Sequence, residues 1–282
     1  MLESVRLRVL SLVLLFGLFA AASLSAEVLH EEWSESFPVE VGKLVSVENV
    51  NGSLEFTSWD GDEVRVEATK MVKTMGRDRA ESAMKEIAIE VEHTTDGLHI
   101  STLLPKQRSG SMSWLSGREV QYRVSYRLTL PRDVGLKGLT VNGNVEIDSV
   151  SGRIEAETTN GQIRIVQAAG PARAHTINGN IRAELVAVDQ ASDCDFRTTN
   201  GGITVYLPAD VQADVVASTV HGAVNTDFAV LVEGGSDSWR RRSLRGTLNG
   251  GGSQLKMETV NGSIQLRKRD GAKDVPEADG AE

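Results

Sequence analysis

One short unit recurs along this chain and constrains its fold more than any other feature. It has the form aliphatic-or-Thr, Asn, Gly, any residue, aliphatic: VNGSL at 50–54, VNGNV at 141–145, TNGQI at 159–163, INGNI at 177–181, TNGGI at 199–203 and VNGSI at 260–264. Degenerate copies are VSGRI at 150–154, VHGAV at 220–224 and LNGGG at 248–252. Between Gly143 and Gly179 the glycines fall every nine residues, at Gly143, Gly152, Gly161, Gly170 and Gly179, before the spacing loosens. A fixed internal period is the mark of a stacked repeat architecture. Asn-Gly reaches left-handed backbone conformations easily, so each unit reads as a sharp turn. The turn residues on this reading are Asn51, Gly52, Asn142, Gly143, Gly152, Asn160, Gly161, Asn178, Gly179, Asn200, Gly201, Asn261 and Gly262.

After each turn comes a short alternating run, and period-two alternation means a half-buried strand. The inward pairs are Val145 and Ile147, Ile154 and Ala156, Ile163 and Ile165, Ile181 and Ala183, Ile203 and Val205, Leu255 and Met257, Ile264 and Leu266. One nine-residue unit is then a turn plus a strand, and two units make one coil of eighteen residues. That register sets Glu146 beside Arg164, which precedes Arg182, and Glu155 beside Arg173. These charges read as solvated ladders. The expected fold is all-β: a Gly-rich repeat β-solenoid over 139–267, with an N-terminal β-rich cap over 27–138. The cap contains one short helix near 77–86, where Ala80, Ala83, Met84 and Ile87 recur at helical spacing. The segment 268–282 has almost no apolar residue and is expected to be a disordered tail.

The ends and the composition narrow the setting. Arg6 and Arg8 precede an apolar run from Val9 to Ala22, small residues follow, and Glu27–Glu32 is charged. This order predicts a signal peptide over 1–26. Its removal leaves 28 basic and 38 acidic residues, a net charge of −10 against −9 for the full chain. No later stretch is apolar enough to span a membrane. The expected location is therefore exported: periplasmic, cell-surface or secreted in a bacterium. The acidic balance argues against nucleic acid, which needs a basic surface. A single cysteine excludes a disulfide framework and a multi-Cys zinc site. With 27 glycines and 5% aromatics, the core must be built from small and aliphatic side chains.

The runs FRTTNGGITVYLPADVQADVVASTVHGAVNTDF at 196–228 and LRGTLNGGGSQLKMETVNGSIQLRK at 244–268 resemble the bacterial putative-adhesin family of β-strand-repeat domains. The resemblance extends over roughly 40–268. It implies an all-β repeat domain, exported or envelope-associated. The family name implies adhesion, and no catalytic residues are carried over from it.

A search for chemistry gives little. The five histidines make no metal-binding spacing. His93 and His99 flank the Asp96-Gly97 turn, where they could face each other across a hairpin. Asp189, Asp193, Cys194 and Asp195 form a local acidic cluster that reads as a surface loop rather than a cation site. No hydrolase, P-loop or dinucleotide motif is present, so neither a catalytic site nor a cofactor or metal is expected. Two loops concentrate side chains that binding surfaces use: Trp114 within 105–119, and Trp239, Arg240, Arg241, Arg242 and Arg245 within 236–246. The alternative is that the tryptophans fold back to cap the ends of the stack. The leading expectation is a non-enzymatic adhesin-like structural or binding module. Its partners would be envelope polysaccharide, anionic lipid or another envelope protein. A polysaccharide-active β-solenoid enzyme and an accessory or sensor component of an envelope stress pathway are the alternatives.

Overall fold

The computed structural model describes residues 26–105, 120–187, 193–232 and 242–269. Residues 1–25 of the signal-peptide segment, Trp114, Asp189, Trp239, Arg240, Arg241 and residues 270–282 lie outside them. In chain order the first elements are β1 (Ala26–Pro38), β2 (Leu44–Glu48), β3 (Leu54–Trp59), β4 (Glu63–Met75), α1 (Arg77–Lys85), β5 (Ala88–His93), β6 (Gly97–Leu103) and β7 (Gln121–Pro131). Next come β8 (Gly135–Asn142), β9 (Val145–Asp148), β10 (Ile154–Asn160), β11 (Ile163–Ala168), β12 (Ala172–Asn178), β13 (Ile181–Leu185), β14 (Cys194–Asn200) and β15 (Ile203–Leu207). The last are β16 (Ala213–His221), β17 (Val224–Thr226), β18 (Leu231–Val232), β19 (Ser243–Leu248), β20 (Ser253–Asn261) and β21 (Ile264–Lys268). The described residues are all-β apart from α1, which begins after Gly76 (φ 88°), carries Asp78 in its first turn and Lys85 in its last, and buries Ala80, Ala83 and Met84.

The strands form one sheet of ten and one of eleven. Through the repeat, successive strands alternate between the two sheets, and each pairs in parallel with the strand two places on. Ile154 of β10 opposes Ala172 of β12, and Ile163 of β11 opposes Ile181 of β13, both eighteen residues apart. Each pair of consecutive strands is thus one layer. The side chains between the sheets form one hydrophobic cluster. All fourteen inward residues named from alternation lie in it, each at most 2% exposed. Arg164 stands between Glu146 and Arg182, and Glu155 opposes Arg173. Glu155 closes its ion pair on the opposite neighbour, Lys137, at 3.1 Å.

The order of layers departs from the order of the chain at both ends. β20 lies between β14 and β16, and β21 between β15 and β17, so the last layer enters beneath the one made before it. At the other end β2 lies between β6 and β8, and β3 between β7 and β9. Antiparallel strands extend three of the four sheet ends beyond these layers, β4 on β7, β1 on β4, β5 on β6, β19 on β16 and β18 on β19, while β17 is the edge of the ten-stranded sheet. The edge of a parallel stack is otherwise a template for further pairing.

Two expectations are corrected by the backbone. Of the turn glycines, only Gly52 has a positive φ in the left-handed range, at 135°. The others are required by close approach. A Cβ on Gly161 would overlap the carbonyl oxygen of Gly143, one on Gly179 that of Gly161, and one on Gly201 that of Gly179. Left-handed backbone appears at Ser149 (φ 61°) and Gln167 (φ 53°), eighteen residues apart at the opposite corner, and in the degenerate unit at Asn249 (φ 48°), Gly250 (φ 98°) and Gly251 (φ 84°). The boundary of the tail also moves. Lys268 belongs to β21, and Arg269 donates its N–H to Leu207 O at 2.8 Å and its Nε to Glu184 Oε1 at 2.7 Å.

Candidate functional site

The corner where the Asn-Gly units stack repeats the same contacts from layer to layer. It is built from the inside out. Two residues before each Asn stands a buried threonine whose hydroxyl donates to a glycine carbonyl of the adjoining layer. The pairs are Thr140 to Gly52 (3.2 Å), Thr158 to Gly143 (2.9 Å), Thr176 to Gly161 (3.0 Å) and Thr198 to Gly179 (2.9 Å). Thr259 to Gly201 (2.9 Å) and Thr219 to Gly262 (2.8 Å) continue the column. In the first layer Asn49 replaces threonine, and its Nδ2 donates to Val124 O at 2.7 Å, the carbonyl that Gly52 approaches. The sequence carries this signal as T-x-N-G, or T-x-H-G at 219–222, but the turn reading attends only to Asn and Gly.

Outside the threonines runs an asparagine ladder. Nδ2 of Asn142 donates to Asn51 Oδ1, Asn160 to Asn142, Asn178 to Asn160 and Asn200 to Asn178, each at 2.8 Å, and Asn261 to Asn200 at 2.7 Å. His221 occupies the Asn position of the terminal layer, opposite Asn261. Beside the ladder lies a column of β-branched residues: Val50, Val141, Thr159, Ile177, Thr199, Val260 and Val220. Its five aliphatic members are 40–51% exposed. On the other side, beyond the glycines, stand Asn144, Gln162 and Asn180. Asn144 Oδ1 accepts the N–H of Gln162 at 3.0 Å, and Asn180 Oδ1 that of Gly202 at 2.8 Å. A groove of about 480 Å³, lined by Val50, Asn51, Asn142, Met71, Leu104 and Tyr122, opens at the N-terminal end of this ridge.

The outer face of the eleven-stranded sheet is different in kind. Lys137, Glu155, Arg173, Asp195 and Lys256 follow one another across five strands with alternating sign. A shallow hollow of about 170 Å³ there is lined by Glu155, Glu157, Arg173, His175, Asp195 and Arg197. Glu155 is paired with Lys137, and Asp195 with Arg197 at 2.6 Å.

The remaining candidates are scattered. Arg242 is exposed at the start of the strand hairpin, where its carbonyl accepts the N–H of Thr219 at 2.8 Å. Arg245 is exposed on β19, opposite Val216. The hairpin register separates the two histidines. His99 opposes Glu92 while His93 opposes Leu98, so they lie on opposite faces, and His93 packs edge-on to Phe37 at 5.9 Å. Strand alternation also divides the acidic cluster. Asp195 faces out, Asp193 accepts the N–H of Gln254 at 3.1 Å, and Cys194 is buried, which pushes its thiol pKa up. Among the described residues there is no group of three or more His, Cys, Asp or Glu able to hold a metal ion, and no helix long and apolar enough to cross a membrane.

No protein-family model and no curated protein matches the sequence. A solved structure of a putative cell adhesion protein from Clostridium sporogenes is similar over 85% of this chain and 100% of its own, at 15% identity and a TM-score of 0.49. A putative adhesin from Bacteroides fragilis is similar over 85% and 97%, at 9% identity and a TM-score of 0.33. A putative lipid binding protein from Parabacteroides distasonis is similar over the same shares, at 12% identity and a TM-score of 0.26. The solved structures that this chain resembles include putative adhesins of Clostridia and Bacteroidetes, the group its repeat units resemble.

Proposed function

We propose that the chain is an exported, non-enzymatic, adhesin-like binding module of the bacterial envelope, with its layers wound as a β-solenoid. The observation that carries this reading is the ridge. Seven layers present the same exposed corner in register, held from beneath by the threonine–carbonyl bonds and along its length by the asparagine ladder. A rigid linear array suits contact with an extended or repetitive partner. On this reading residues 1–26 are a signal peptide, and the loop from Trp239 to Arg245 is a second contact surface, for anionic groups. The test is retention of the purified 27–282 protein on bacterial envelope fragments, with release of new reducing ends from envelope polysaccharide measured in parallel. Retention without release is expected. Release of reducing ends would favour the polysaccharide-active alternative, with the hollow around Glu155 and Glu157 as its first suspect. Absence of both would overturn the binding reading.

A further inference from the structure

The geometry points to the ligand class of the ridge: a neutral, extended glycan laid along the layers. This inference rests on the reading of the chain as a binding module and deepens it. The first observation is one of charge. The four positions of each corner, from the β-branched residue to the one after glycine, make 28 positions over seven layers, and none is Asp, Glu, Lys or Arg. Charged residues are 24% of the chain, and one row of the adjacent sheet face is charged at every strand from Lys137 to Lys256. At these 28 positions a phosphate, a carboxylate-rich polymer or an anionic membrane would find no Lys or Arg as countercharge; Arg123 stands beside them only in the groove at the N-terminal end of the ridge.

The second observation is hydrogen-bonding capacity. A side-chain amide has two N–H donors and two acceptor lone pairs. Within the ladder each interior asparagine gives one N–H to the layer before it and accepts one from the layer after. One donor and one acceptor per layer are left over on an exposed side chain. Sugar hydroxyls both donate and accept, so they match such a row, whereas an anionic oxygen uses only its donors. Neighbouring strands stand about 4.8 Å apart, and the rings of an extended glycan follow one another at close to that spacing.

The third observation is the column beside the ladder. Val141, Thr159, Ile177, Thr199 and Val260 offer a narrow apolar rail, one residue wide, on which the C–H face of a sugar ring can rest. Half-exposed side chains in single file present a few hundred Å², short of the ~800 Å² per partner that a stable protein interface buries. The rail is thus too narrow to favour a second copy of the chain.

The experiment is affinity electrophoresis and titration calorimetry of the 27–282 protein. The probes are neutral β-1,4-linked glucose, xylose and N-acetylglucosamine oligomers, hexagalacturonate, and phosphatidylglycerol vesicles, each at low and high salt. At least one neutral oligomer is expected to bind, with affinity rising from disaccharide to hexasaccharide and little changed by salt, because no charge is screened. Ile177→Glu and, separately, Val141→Lys are exposed changes expected to weaken that binding at least tenfold with the melting temperature kept. Binding confined to hexagalacturonate or vesicles, or an affinity independent of oligomer length, would overturn the neutral-glycan inference. So would ridge variants that bind like the parent. If the protein is then still retained on envelope fragments, the binding-module reading stands without it; loss of that retention as well would overturn both.

Discussion

Gly161→Ala separates the two accounts of the repeat glycines. Gly161 lies in the middle of the stack, outside the left-handed range, and a Cβ there would overlap the carbonyl oxygen of Gly143 in the layer below. A carbon and a carbonyl oxygen rest about 3.3–3.6 Å apart even in the closest favourable contacts, so the two layers must part at this corner. The bonds that hold them are short: Gly143 N–H to Asn160 O at 3.0 Å, Thr158 Oγ1 to Gly143 O at 2.9 Å and Val145 N–H to Gln162 O at 2.9 Å. Losing two or three of these at about 1 kcal/mol each, with the strain of overpacking, costs roughly 2–4 kcal/mol. Gly42 is the control. Its φ is 79° and a Cβ there meets nothing within 4 Å, so Gly42→Ala carries only the left-handed penalty, about 1–2 kcal/mol. Urea denaturation of both variants, with hydrogen exchange at 140–165 to localise the effect, reads the difference. If Gly161→Ala loses no more than Gly42→Ala, the layers tolerate a methyl group at this corner and the close-approach account is wrong.

Thr176→Val removes the hydroxyl that satisfies Gly161 O inside a fully buried site and should cost about 1–2 kcal/mol, with Thr176→Ser recovering most of it in the same denaturation assay. Tyr126 is 1% exposed with its Oη 2.7 Å from Thr102 Oγ1, and burial lifts its pKa to about 12 while that hydrogen bond pulls it down. The folded value lies above the unfolded one, so this contribution is complete below pH 10 and is lost as the pH rises from about 10 to 12. It amounts to about 2–3 kcal/mol, seen as an alkaline fall in stability that Tyr126→Phe flattens. Ending the chain at residue 252 deletes β20 and β21 and should abolish hydrogen-exchange protection over 213–226 and 243–248 as well, because β16 and β17 then lose their parallel neighbours; intact protection there would contradict the inserted layer. Replacing Arg240, Arg241 and Arg242 by Ser should leave the melting temperature within a degree or so while weakening retention on anionic vesicles at low salt; unchanged retention would remove that loop as a contact surface.

Local pattern carried much of the fold into the sequence. Alternation identified all fourteen inward residues, and the nine-residue glycine period set Glu155 against Arg173 and Arg164 against Arg182. These signals are legible because each is decided within one strand and one turn. The role of the glycines was less so, since Asn-Gly suggests a left-handed turn by itself, whereas the demand here comes from the neighbouring layer eighteen residues away. Two left-handed positions escaped for the complementary reason, since Ser149 and Gln167 are not residue types that announce them, whereas Asn249, Gly250 and Gly251 of the degenerate LNGGG unit are left-handed as Asn and Gly suggest. The threonine column is legible in the sequence, since Thr stands two residues before Asn in five of its units and before His221 in the sixth. The candidate site is less legible, because charge and aromatic side chains are what mark a contact surface in a sequence. The ridge contains neither, so a search for conspicuous side chains passes over it.

What no local pattern could show is the order of the outer layers, and that order bears on how the stack holds its ends. In a simply wound stack the first and last segments sit outermost, each fastened on one side, and fray at little cost. Here the first layer, β2 and β3, is held between β8–β9 and β6–β7, while the last, β20 and β21, is held between β14–β15 and β16–β17. Each is hydrogen-bonded on both flanks, so neither can peel away without breaking two ladders. The outermost parallel places fall to β6 and β7 at one end and to β16 and β17 at the other; β6, β7 and β16 carry antiparallel strands, and β17 forms the edge of the ten-stranded sheet. Insertion therefore turns the two weakest positions of a linear repeat into interior ones. It also brings a folding cost, because Asn261 must find Asn200 across 61 residues and long-range pairing slows folding. A corner kept in register up to its terminal layers is what a linear contact ridge requires, and the inserted layers supply it where a simple winding would be loosest.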